Sequence, residues 1–158
     1  MQSINLKKAV SNSCDSISVG NKIFCMGGYS PVLDEVNEIN FSGDVIAKAP
    51  MLAKKYAHSL CEHQNMIYAT GGYNGSTWLK NCEKYSVANN TWEKLPDMLM
   101  ERVFHGSCIH NNQFLYTMCG NNSAGNVDRI DRLDILAQGT WENMTITKTG
   151  YSGARNYV

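Results

Sequence analysis

No apolar run in this sequence approaches the roughly 20 residues that a membrane-crossing helix requires. Its first residues, Met-Gln-Ser-Ile-Asn-Leu-Lys-Lys, lack the apolar core of a signal peptide. No window sustains a helical period, which argues against a helical domain. Charge of one sign is also missing. The 14 Lys and Arg balance 14 Asp and Glu, and the pI is near 6.9, so neither nucleic acid nor an anionic membrane meets an attractive field. The 6 cysteines show no C-x-x-C spacing and fall mostly in strand-like segments, so they read as buried thiols of a reducing compartment. That places the protein in the cytoplasm. The 4 histidines are dispersed, and no Ser or Cys has a base-and-orienter pair beside it in sequence. Neither a catalytic centre nor a metal or other cofactor is expected.

What the sequence does have is repetition. The phrase Met66-Ile67-Tyr68-Ala69-Thr70-Gly71-Gly72 recurs upstream as Ile23-Phe24-Cys25-Met26-Gly27-Gly28 and downstream as Phe114-Leu115-Tyr116-Thr117-Met118-Cys119-Gly120. Cys14, Cys61 and Cys108 keep a similar beat, and Lys55, Arg102 and Arg155 close the three units. After each glycine pair come a polar loop and an alternating stretch: 36–41, 82–87 and 130–135. Trp92 and Trp141 follow at matching places, where the first unit has Ile46. A period in the mid-forties signals an array of one supersecondary unit.

In the second unit, residues 59–62, 66–70, 81–87 and 91–95 alternate and are divided by His63-Gln64-Asn65, the Gly71–Gly75 loop and Ala88-Asn89-Asn90. Such runs between Gly and Asn punctuation predict four short antiparallel strands per unit, the content of a propeller blade. Asn74-Gly75-Ser76 and Asn89-Asn90-Thr91 have the form of glycosylation sites but read as ordinary asparagine turns.

The order Gly-Gly, Tyr, Trp, Pro, Arg over residues 66–102 resembles a kelch repeat, and residues 13–158 resemble three successive copies. The resemblance implies an all-β propeller of four-stranded blades, divided at 13–57, 58–104 and 105–158. Residues 1–12 read as a strand of a preceding blade, with Ile4 and Leu6 inward. Three blades do not close a ring, since propellers typically have four to eight. An open propeller is therefore expected, either part of a longer one or completed by self-association. Each bare face would forgo about 12 kcal/mol if it exposed on the order of 500 Å² of apolar surface.

By the same resemblance, the loops after the glycine pairs and those carrying the cations meet at one rim that docks protein or peptide ligands. Tyr29 and Tyr73 match the tyrosine that faces the ligand. Asn74 and Trp78 share the second loop, and Asn121 and Asn122 occupy the third. Lys55, Arg102 and Arg155 match the cationic position and are expected to hold a carboxylate. A non-catalytic interaction module is thus implied, with cytoskeletal or ubiquitin-ligase components as candidate partners. Its alternatives are the substrate-recognition part of a cullin-type ubiquitin ligase, or a fragment of a propeller oxidase or sugar epimerase. For the oxidase, the dispersed histidines offer no copper centre.

Overall fold

The computed structural model describes residues 10–137 and 139–144, and among these there is no helix. The expected inward placing of Ile4 and Leu6 and the role of Arg155 lie outside the described residues. The first sheet consists of β1 (Asp15–Val19), β2 (Lys22–Met26), β3 (Val36–Ile39) and β4 (Val45–Ala47). The second contains β5 (Ser59–His63), β6 (Met66–Thr70), β7 (Cys82–Ser86) and β8 (Thr91–Leu95). In the third unit, a two-stranded ribbon of β11 (Asn121–Asn122) and β12 (Gly125–Asn126) interrupts the sequence β9 (Gly106–His110), β10 (Phe114–Met118), β13 (Ile130–Asp134) and β14 (Glu142–Met144). Every four-stranded sheet is an antiparallel meander in chain order.

Local chemistry accounts for the turns. Gln64 and Asn65, between β5 and β6, both have positive φ (50° and 60°), the backbone that a two-residue hairpin requires. Asn111 and Asn112 adopt the same region (51° and 57°) in a three-residue connection between β9 and β10, which asparagine tolerates well.

The sheets fan out from their first strands: β1 packs beside β5, and β5 beside β9. The Leu60 amide donates to Asp15 Oδ2 at 3.0 Å, and the Ser59 and Ser107 hydroxyls meet at 2.8 Å. Between the first and second sheets lie Phe24, Met26, Val36, Met51, Ile67 and Tyr85. Tyr68, Met98, Leu115, Leu133 and Trp141 fill the space between the second and third. Fully burying one such side chain contributes about 1.5–3 kcal/mol, so these two layers dominate the stability.

The propeller is not closed. Cys108, Tyr116 and Arg132 are cross-strand neighbours on the face of the third sheet opposite Leu115 and Leu133. No described sheet covers that face. Cys108 and His110 are exposed there, and the Arg132 guanidinium rests 4.7 Å from the Phe114 ring centroid.

The cysteines depart from expectation. Cys25, Cys61 and Cys82 are buried, but Cys108 and Cys119 are exposed and Cys14 is half-buried. Burial pushes the Cys61 and Cys82 thiols up to about 12. Cys14 precedes β1, and Ile17 pairs with Phe24 where Cys61 pairs with Tyr68. Equal spacing of the three cysteines therefore does not mean equal register.

Candidate functional site

The loop end of the fan is organised by two straps that lead from one sheet into the next. The first runs through Lys55 and Tyr56, the second through Arg102 and Val103. Their carbonyls and amides bond to the glycine pairs and to the residues that follow them. Gly28 and Gly72 donate to the Lys55 and Arg102 carbonyls at 3.1 and 2.8 Å. Tyr56 and Tyr73 exchange both backbone bonds at 3.1 and 2.9 Å, as Val103 and Asn121 do at 2.9 Å.

This packing explains the repeated glycines. Gly71 has φ +62°, and a Cβ there would stand 2.5 Å from the Arg102 carbonyl oxygen and 2.8 Å from the His105 ring. Only a residue without a side chain admits the strap that closely.

The strap cations do not face solvent, which corrects their assignment to a partner. Lys55 and Arg102 are 0% exposed. Lys55 Nζ lies 2.6 Å from Glu83 Oε1, and the Leu52 amide donates to the other Glu83 oxygen at 2.7 Å. Arg102 Nη2 donates to Asp131 Oδ2 at 2.6 Å, and Nη1 to the Cys119 carbonyl at 2.7 Å. Both acids occupy the third strand of the following sheet, so each cation clips one sheet to the next. A carboxylate from outside has no access to either.

The histidines beside the straps are structural too. His58 and His105 are buried, and His105 Nε2 shares a hydrogen bond with Thr70 Oγ1 at 2.9 Å. Burial, reinforced by Lys55 beside His58 and by Arg102 beside His105, lowers both imidazoles to about 3. They are neutral at physiological pH and poorly poised for acid–base work.

What the straps place at the rim is aromatic. Tyr29, Tyr56, Tyr73 and Trp78 form a continuous strip, with successive ring centroids 4.8, 5.7 and 6.1 Å apart. Tyr29 is 52% exposed and the other three rings are half-buried. Tyr73 holds the centre because its backbone bridges to both Tyr56 and Trp78.

The Kelch motif model matches residues 54–99, from the first strap through the second sheet. The chain is 34% identical over 109 residues to kelch repeat and BTB domain-containing protein 2 of ectromelia virus (strain Moscow), covering 66% of this chain and 19% of that protein. It is 32% identical over 109 residues to the protein of the same name from cowpox virus (strain GRI-90 / Grishak), with the same coverage. Rat kelch-like protein 38 is 32% identical over 96 residues, 60% of this chain and 16% of its own length. The chain belongs to the kelch-repeat proteins. It spans about a fifth of the length of the viral relatives.

In kelch terms, the strip joins the residue after the glycine pair (Tyr29, Tyr73) to a strap residue (Tyr56) and a loop residue (Trp78). Tyr56 was not among the sequence candidates, because its neighbours are brought to it by a long-range bridge. Its only signal was its place directly after the cation. Asn121 stands where Tyr73 stands in the second unit, and its backbone bridges to Val103 rather than to the strip. Asn74 and Asn122 use their side-chain oxygens within their own loops, accepting from Ser76, Thr77 and Ala124 amides at 2.8–2.9 Å. Asn122 also borders a shallow hollow of about 220 Å³ beside Met100 and Arg129.

Proposed function

We propose that this chain is a non-catalytic docking module and that the strip Tyr29–Tyr56–Tyr73–Trp78 is its contact surface for a protein or peptide partner. One observation carries the reading. Among the described residues, Trp92, Trp141 and Tyr85 between the sheets have their side-chain polar atoms bonded internally, whereas no hydrogen bond engages the side chains of the strip. Trp92 Nε1 donates to the Ala49 carbonyl at 2.9 Å, Trp141 Nε1 to Pro96 at 2.8 Å, and Tyr85 Oη to Asn90 Oδ1 at 2.7 Å. Half-exposed Tyr and Trp with free donors are the residue types that dominate binding hot spots. Asn121 and Asn122, on the adjacent loop, would form the polar margin of this surface, and Arg155 is kept as a candidate contact from its sequence position.

Affinity capture on the 158-residue chain tests the reading. Partners recovered by the native protein should be lost on Tyr73→Ala with Trp78→Ala, while the variant keeps its circular dichroism spectrum. Recovery that is indifferent to both changes overturns it.

The names of the viral relatives pair kelch repeats with a BTB domain, which favours a second reading as the substrate-recognition part of a cullin-type ubiquitin ligase. Copurification of a cullin with this chain would support that reading. Cytoplasmic location accords with both readings.

A further inference from the structure

If the strip is the contact surface proposed above, it also constrains what can dock on it. Loop residues 29–33, 73–79 and 121–127 contain no Asp, Glu, Lys or Arg. The nearby strap cations are buried against Glu83 and Asp131. Charges appear only at the margins: Glu101 is bonded to the Ser123 hydroxyl at 2.6 Å, Arg129 is paired with Asp131, and Glu35, Lys54, Lys80 and Asp128 are exposed, with Asp34 half-buried. An acidic or basic segment lying on the strip would lose hydration with no buried counter-charge to replace it.

We propose that the occupant is an uncharged, proline-containing peptide in the polyproline II conformation. Such a segment leaves its backbone carbonyls unpaired, and the strip offers three phenol hydroxyls and one indole N–H as donors. The ring pairs are tilted or edge-on, at 55°, 78° and 76°. Ring edges as well as faces are thus offered, and clustered aromatics of this kind are what proline-rich segments dock on. The three centroid steps add to roughly 17 Å, so the strip spans at most about five residues of polyproline II at about 3.1 Å each. A ligand already extended in solution loses little entropy on binding, which suits a surface this small.

The test is panning a random dodecapeptide phage library on the immobilised 158-residue protein, with counter-selection on the Tyr73→Ala, Trp78→Ala variant. The enriched motif should contain proline and no Asp or Glu. A fluorescein-labelled peptide carrying it should bind about equally from about 0.05 to about 0.5 M salt. It should bind at least about tenfold more weakly to Trp78→Ala, by anisotropy. A motif bearing carboxylates, an affinity that falls with salt, or no motif surviving counter-selection overturns the proposal. If Tyr73-dependent capture of a folded partner persists in any of those cases, the docking surface stands and only its ligand class is wrong. If capture is lost as well, both readings fall.

Discussion

Tyr85 and Tyr73 lie in the same repeat, yet their surroundings give them different work. Tyr85, in β7, is fully buried against Phe24 and Trp92, and its hydroxyl is held by Asn90. Asn90 also accepts the Ala49 amide at 2.8 Å, while Trp92 donates to the Ala49 carbonyl. Both backbone groups of one residue just past β4 are thus held by the second sheet and its turn. Tyr73 follows the glycine pair, stands half-exposed, and bonds to the strap through its backbone alone. The inter-sheet aromatics therefore couple repeats, and on the docking reading the rim aromatics are the ones free to contact a partner. Truncating the first kind should cost stability, and truncating the second should cost binding.

The largest effect is expected for Tyr85→Ala. It opens a cavity between two sheets and removes one of the two donors to Asn90, so unfolding stability should fall by about 3–5 kcal/mol. Chemical denaturation of the purified chain measures this. A loss below about 1 kcal/mol would mean that the layer between the first two sheets is loosely packed, and would break the comparison.

Next is Lys55→Met, which leaves Glu83 buried with the Leu52 amide but without its cation. A loss of about 3 kcal/mol is expected, because an uncompensated buried charge is costly. The double change Lys55→Met, Glu83→Leu should recover most of it. If the single variant is neutral, the cation is not a clip, and its assignment to a partner returns.

These two cases show what the sequence made legible. Strand positions and the blade pattern could be read because alternation, Gly/Asn turns and the repeat period all point to the same four strands per unit. The fate of Lys55 and Arg102 could not. Whether a strap cation meets a ligand or a buried acid depends on residues 83 and 131, which reach it only through the packing of one sheet on the next. Tyr56 was missed for the same reason. Cys14 was misplaced because its spacing follows the repeat while the pairing register does not. Tyr29, Tyr73 and Trp78 could be picked out as rim candidates because they follow the glycine pair, the best-marked point of the unit.

The third prediction concerns pH and the straps that carry the rim. His58 and His105 have folded-state values near 3, against about 6.5 in an unfolded chain. Below about pH 6.5 the unfolded chain takes up protons that the folded chain refuses, so stability is intact at neutral pH and falls as pH drops toward the folded value. At pH 5 the loss is about 2 kcal/mol per histidine. Thermal melts from pH 7 to pH 5 should show the decline, and His105→Gln should make it shallower. A flat profile would indicate that the imidazoles are accessible to water. The sheet interface beneath the strip would then be looser than the core aromatics suggest.

The smallest effect sharpens the contrast most. Tyr29 ends the strip at 52% exposure, and its ring touches Tyr56 at 4.8 Å. An aromatic pair contributes about 0.5–1.5 kcal/mol, and this one is half in solvent, so Tyr29→Ala should lower stability by about 1 kcal/mol or less. Its effect on partner recovery should be far larger than its effect on folding. The ratio of the two effects, measured on one protein preparation by denaturation and by capture, is the quantity that separates rim from core. For Tyr85→Ala that ratio should invert, with binding lost only in proportion to the unfolded fraction. Equal ratios for the two tyrosines would mean that the rim is only the exposed edge of the same packing layer, and the strip would lose its claim to a separate function.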